Sequence, residues 1–346
     1  MFAAWARTAI VRAGIVVLAV CTAVLLLLPE APDQMNLASI AIAVAPVSAL
    51  AMLSAGILRG LKMAILGQCY EVSRNIVFFA GLFVILALDL GRSVETILFA
   101  QVAAVCMGGL AVSWAASHYL PRGAKMEDAA ADRGAWRAAL LPFSLIGGVY
   151  VVNASVDVLM IKSLSTATEA GIYHVTLQIG NLTMLGLTAI NLTTMPYFSQ
   201  FFANGDRASL AKLAIRTSQA SAIFAALCLA AILLAGEVLM ELFYGTAFVS
   251  AAGAMILISI GQLLNASTGN SVGLLSMAGR ERMVLGILAS GAILKIACNA
   301  VLIPSMGAMG AGWGVIVFSA WVNALFWIAA VRLEGINTFA LAWRRP

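Results

Sequence analysis

The sequence predicts an all-α polytopic membrane protein of about ten transmembrane helices, arranged as two pseudo-repeated lobes of four and six. Three observations carry this. Charged residues make up only 10% of the 346 and hydrophobic residues 62%, where soluble domains carry about 25% charged residues. Apolar runs of about 20 residues, long enough to cross a ~30 Å hydrocarbon core, recur from end to end. The Lys and Arg residues gather on alternate connectors, as the positive-inside rule requires of a chain that crosses repeatedly. A soluble reading is excluded, and the basic balance reflects helix ends rather than a patch for nucleic acid.

The first span, 10–28, follows Arg7 and Arg12. Its apolar stretch exceeds the ~7–15 residues of a secretory signal core and runs into PEAPDQ without a small-residue cleavage site, so it reads as a retained helix. The second, 37–58, ends at Arg59 and Gly60. The third, 72–90, has its strictly apolar run from Ile76 to Leu88, and Glu71 and Arg74 at its start must snorkel or line a polar cavity. The fourth is 96–116. The longest polar stretch comes next, HYLPRGAKMEDAAADRGAWR, with the Pro, Gly and charges of an inter-lobe linker. Six spans follow at 138–161, 171–196, 214–235, 250–277, 283–303 and 308–331. The expected organisation is an N-terminal lobe over 1–116, a linker over 117–137, a C-terminal lobe over 138–331 and a tail over 332–346, with no room for a soluble domain.

With the N-terminus in the cytoplasm, 17 of the 20 Lys and Arg residues fall on cytoplasmic connectors or tails, Arg92 and Lys162 fall outside, and Lys295 lies within a span. The acidic residues show no such bias, as a Lys/Arg rule predicts. Both termini are therefore expected in the cytoplasm. The five cysteines, at 21, 69, 106, 228 and 298, have no metal-ligand or disulfide spacing and read as small apolar packing residues. The N-x-[ST] matches at Asn153, Asn181, Asn191 and Asn265 all lie in spans, which rules against glycosylation.

An internal repeat is visible. The layout of LSAGILRG, a polar turn and IVFFAGLFVILALDLGRSVETILFAQVAAVCMGGL returns as GLLSMAGRER followed by ILASGAILKIACNAVLIPSMGAMGAGWGVIVFSAW. On that register the first four spans match the last four, and the fifth and sixth have no counterpart. The first lobe is thus expected to lack two helices, which the frame upstream of Met1 is expected to encode.

The chain from Pro142 to Gln200 is followed by FFANGDRASLAKLAIRTSQ and later by GTAFVSAAGAMILISIGQLLNASTGNSVGLLSMAGRER. Together these segments resemble the polysaccharide and O-antigen flippases of the multidrug/oligosaccharidyl-lipid/polysaccharide exporter superfamily. The resemblance rests on the helix with Asp157, the turn Glu169 to His174, the helix end at Pro196 with Asn204-Gly205-Asp206, the turn Tyr244-Gly245 and the turn Ala278-Gly279-Arg280. It implies two six-helix lobes around a central cavity and transport, by alternating access, of a lipid-linked oligosaccharide of the polyprenyl pyrophosphate type. It further implies a bacterial inner membrane, a role in O-antigen, capsule or exopolysaccharide synthesis, and partners among the lipids and other polysaccharide-assembly proteins. No cofactor beyond a coupling H+ or Na+ is implied.

Ionisable groups inside spans are candidate functional residues, because an unpaired charge there costs at least ~2.5–3.5 kcal/mol on insertion scales. Lys295 is near the middle of its span with Asn299 one turn on, and Asp157 is in the outer part of its span with Asn153 one turn earlier. Lys295 and Asn299 suit the anionic part of a substrate, and Asp157, Asn153 and His174 suit a coupling ion or proton. For Asp157 and Lys295 a structural reading, pairing or snorkelling, stands beside the functional one. Gln178 and Asn181 continue from His174 as a polar stripe at helical period, and Gln262 and Asn265 lie in the eighth span. These amides either hydrogen-bond sugar hydroxyls or bond one helix to another.

Three rival readings remain open: a cation-coupled multidrug exporter of the same superfamily, a membrane enzyme of the polysaccharide pathway, and a degenerate or fragmentary chain with no transport of its own. The second would need convergent acid, base or anion-binding groups, commonly in a sizeable outer loop. The expected outer connectors are short, with Arg92 and Lys162 as their cations, so no enzymatic activity is expected. Reporter fusions after Arg137 and after Pro346 should read cytoplasmic, and one after Glu241 external. A periplasmic signal from the C-terminal fusion contradicts the ten-span reading.

Overall fold

The computed structural model describes residues 32–61, 63–89, 93–119 and 129–341. The first expected span, 10–28, lies outside them. The described chain is helical, without strands, and eight of its helices are long and apolar enough to cross a membrane. Large apolar side chains lie exposed along the helix flanks, Leu234 at 87% and Ile65 at 83%, an arrangement that water penalises and lipid does not. The protein is an all-α polytopic membrane protein.

The chain divides into two compact units, Met1–Arg133 and Gly134–Pro346. In the first, α1 (Pro32–Gly60), α2 (Ala64–Ala87) and α3 (Val94–Tyr119) pack on one another. Small and aliphatic residues of α1 and α3 meet around the buried Tyr70 of α2, and Ser54 and Ser113 share a 3.2 Å hydrogen bond. The third expected span starts eight residues too late, at 72 rather than Ala64. The sequence reading stopped at Glu71 and Arg74, but these neutralise each other within one turn, at 2.7 Å, so the helix continues through them.

The second unit contains α4 (Ala129–Leu164) from Gly134 onward, α5 (Ala167–Asn181), α6 (Leu185–Ala203), α7 (Arg207–Tyr244), α8 (Ala252–Thr268), α9 (Ser271–Met277), α10 (Glu281–Met306) and α11 (Ala308–Glu334). The expected linker 117–137 is therefore mostly helix at its ends, with α3 reaching Tyr119 and α4 starting at Ala129. The expected span 171–196 extends over 167–203 and is interrupted by a 3-10 turn at Leu182–Met184. The expected span 250–277 is two helices, because Gly269 at φ +59° breaks the chain between α8 and α9. Periodicity and hydropathy continue through such a break, so the sequence alone read it as one run.

Local signals set the helix ends. Asp206 caps α7 by accepting from the Ser209 amide at 3.0 Å, and hydrogen bonding to the Ser209 side chain first, and to its amide second, holds its carboxyl below the ordinary carboxylate range. Thr166 caps α5 by accepting from the Glu169 amide at 3.1 Å. Glu169, bonded also by Ser165, reaches across to accept from the Ala308 amide at 2.9 Å. One carboxylate thus serves two helix N-termini, a position the helix dipole favours.

Two registers organise the lobe. Helices α4 and α10 run parallel with a constant offset: Asn153 meets Lys295, Asp157 meets Asn299, Ile161 shares an apolar cluster with Ile303, and Ile146 shares another with Leu288. Helices α10 and α11 form an antiparallel hairpin about Gly307 in which glycine faces backbone or side chain directly. A Cβ at Gly310 would lie 2.5 Å from the Leu302 backbone, and one at Gly291 would lie 2.3 Å from Val322. Close approach of this kind is how helices gain dispersion contact where lipid competes for apolar surface. Gly310→Ala is expected to lower the unfolding free energy by about 1–3 kcal/mol, because backbone cannot move aside. Denaturant titration in mixed micelles measures it, and an unchanged midpoint contradicts the packing account.

Candidate functional site

The two in-span charges singled out in the sequence are partners. Lys295 Nζ lies 2.7 Å from Asp157 Oδ2, with side chains 3% and 1% exposed respectively. The site sits where α4, α5, α10 and α11 converge. Helical rise, ~1.5 Å per residue, puts Asp157 about 10 Å from the end of α4 at Leu164 and Lys295 about 16 Å from the end of α10 at Met306. Both lie well inside their spans. Among the described residues, the buried charged side chains are these two and Glu334.

Each charge is further satisfied. The ammonium donates to the Asn153 carbonyl at 3.0 Å and to Asn153 Oδ1 at 3.3 Å, and stands 5.8 Å from the Phe318 ring centroid, within cation–π range. The carboxylate accepts from Asn299 Nδ2 at 2.8 Å on Oδ1 and from the Tyr173 hydroxyl at 3.2 Å on Oδ2. Asn153 and Asp157 are one turn apart on α4, and Lys295 and Asn299 one turn apart on α10, so the parallel register alone brings four polar groups together. The fully buried Asn299 Oδ1 has no hydrogen-bond partner within the described protein. It is pressed against Gly314, where a Cβ would stand 2.0 Å away. Glycine at 314 is what admits the Asn299 side chain.

This chemistry is a buried ion pair with redundant donors and acceptors. Charge burial of this kind costs several kcal/mol per ion before pairing, and well-packed apolar residues commonly match or exceed a buried pair in stability.

The remaining sequence candidates are distributed elsewhere. Asn181 and Gln262 meet each other, Gln262 Nε2 donating to Asn181 Oδ1 at 2.8 Å, and so join α5 to α8. Asn265 is half-buried near the end of α8, and its carbonyl accepts from the Thr268 hydroxyl at 3.1 Å. His174 and Gln178 are exposed, and the group around Asp157 contains neither. The buried face of α5 is instead Ala170, Tyr173, Thr176 and Gly180. The stripe His174, Gln178, Asn181 has the right period but is rotated by one residue from that face, since periodicity identifies stripes without saying which one turns inward. Tyr173 is the residue that reading missed. Its signal was its position at i+3 from Ala170 and i−7 from Gly180, a small-residue pattern that marks a helix interface.

Tyr173→Phe, which deprives a buried carboxylate of a donor, is expected to lower the unfolding free energy by about 1.5–3 kcal/mol, whereas the exposed His174→Ala stays within about 0.5 kcal/mol. Denaturant titration of each variant in mixed micelles separates them, and equal effects at 173 and 174 contradict the placement of α5. Compared with known protein families and with curated proteins, the sequence matches no family model and no curated protein.

Proposed function

We propose that the protein is a flippase-like transporter of lipid-linked oligosaccharide in a bacterial inner membrane, with both termini cytoplasmic, serving cell-surface polysaccharide synthesis. The observation that carries the transport reading is the Asp157–Lys295 pair, buried within the spans and surrounded by Asn153, Tyr173 and Asn299. Intramembrane ion pairs are costly to build and mark charge-handling pathways. The substrate class comes from the sequence resemblance, and the chemistry is compatible with it, since a lipid-linked sugar presents a phosphate or pyrophosphate and a lysine ammonium is a compact point charge suited to it.

In the described state the ammonium is held by Asp157 and Asn153, and the pair is neutral. An arriving phosphate competes with Asp157 for Lys295. When Lys295 turns to the phosphate, Asp157 keeps the Tyr173 hydroxyl and the Asn299 amide and becomes the place for a counter-cation, H+ or Na+. Substrate arrival and cation arrival are thereby linked through one exchange of partners, and release of both restores the ion pair. Only a ligand that distinguishes the paired from the parted arrangement shifts the lobe between states.

The test is transfer of a fluorescent polyprenyl-pyrophosphate oligosaccharide across proteoliposomes that contain the full chain. Transfer is expected with the unaltered protein, abolished in Lys295→Ala, and partly restored in Lys295→Arg, which keeps the charge with a different geometry. Each variant is checked for equal incorporation. Absence of transfer by the unaltered protein, or full transfer by Lys295→Ala, overturns the reading.

A further inference from the structure

The chain after α11 does not leave the lobe, although the sequence reading assigned it to a tail from residue 332. Helix α11 continues to Glu334 and ends at Gly335, which is left-handed at φ +68°. The next residues are non-helical and alternate in burial: Ile336, Thr338 and Ala340 are buried at 3%, 1% and 8%, while Asn337 and Phe339 are half-buried. This is the two-residue period of an extended chain laid across a surface. The surface is the arginine-rich end of the lobe. Ile336 fills a cluster made by Phe198 of α6, Leu210 and Ala214 of α7, Leu274 of α9 and Ala330 of α11.

The polar contacts of this strap converge on the break between α8 and α9. Gly269 stops α8, so carbonyls at the end of that helix lose their helical donors. The Ala266 carbonyl takes the Gly269 amide at 3.2 Å, and the Thr268 carbonyl takes the Ser271 hydroxyl at 2.9 Å. The Ser267 carbonyl takes its backbone donor from the strap, the Ala340 amide at 2.8 Å. Thr338 and Ser271 share a 2.7 Å hydroxyl pair beside it, and Gln219 of α7 donates to the Ala340 carbonyl at 3.2 Å. At the root of the strap, Glu334 pairs with Arg280 in the α9–α10 turn at 2.8 Å, and Arg207 of α7 donates to the Glu334 carbonyl at 3.1 Å.

We propose that residues 335–340 form a releasable latch that holds the discontinuous α8–α9 segment in its broken shape. Broken helices persist in membranes where neighbours satisfy the freed backbone groups, and here the neighbour is a terminal, non-helical segment hinged at Gly335. The helices keep their own backbone bonds when it leaves. The break does not: Ser267 loses its donor, Ser271 loses Thr338, and α9 loses Ile336 from its packing face. Latch and break therefore form one two-position element, and undocking the strap frees α9 to move relative to α8 at the end of the lobe where an opening would form. This inference needs no particular substrate.

Hydrogen–deuterium exchange of the full chain in nanodiscs tests it. Ile336→Asp places a charge in the apolar seat and should speed exchange of the α9 amides by at least about tenfold while α4 and α10 stay protected. A second variant adds Ser271→Cys and Thr338→Cys to Ile336→Asp, with Cys21, Cys69, Cys106, Cys228 and Cys298 changed to Ala. Oxidation should restore slow exchange in α9, and reduction should reverse it. Unchanged exchange in α9, loss of protection across α4 and α10 as well, or failure of oxidation to restore it each overturns the latch.

Discussion

The Asp157–Lys295 ion pair is the constraint around which the second unit is arranged. Two opposite charges inside apolar spans are tolerable only when held in contact and hydrogen-bonded, and every helix near them is set by that requirement. Parallel packing of α4 on α10 supplies the pair and its two asparagines, α5 supplies the Tyr173 hydroxyl, and α11 supplies the space at Gly314 and the ring of Phe318. The glycines of the α10–α11 hairpin serve the same end. Without Gly291 and Gly310 the hairpin could not close to the distance at which Asn299 fits beneath α11.

A charge-paired centre and a broken helix are compatible with movement in a way that an apolar core is not. Close-packed cores resist small displacements, whereas an ion pair offers discrete alternatives: paired with each other, or each with an outside partner. The second unit contains such an element well inside its spans, at Asp157 and Lys295, and a second at the arginine-rich end, where the strap completes the α8–α9 break. The two are separated along α10, since that helix starts after Arg280, which pairs with Glu334, and reaches Lys295 only near its middle.

Much of this was legible in the sequence. The all-α membrane architecture followed from charge depletion and run length, because lipid admits few other solutions. Lys295 and Asp157 stood out because charges in apolar runs are rare, and their spacing to Asn299 and Asn153 already implied one face on each helix. Their contact was not legible, since the interhelical register is a tertiary fact that no local period encodes. The buried face of α5 was not legible, because a polar stripe at helical period does not say which face packs, and the interface there is built from Ala170, Tyr173, Thr176 and Gly180. The break at Gly269 and the strap were missed because both are short and apolar enough to pass for a helix and a tail.

The central claim is that the two charges are held as a mutually dependent pair, and a double-mutant cycle on Asp157→Leu and Lys295→Met measures this directly. Each single variant leaves the opposite charge buried and should lower the unfolding free energy in mixed micelles by about 3–5 kcal/mol. The double variant leaves no orphan charge and should be less destabilised than either single variant, which requires a coupling of at least about 3 kcal/mol. Effects that simply add, to within about 0.5 kcal/mol, would contradict the pairing and with it the account of the site.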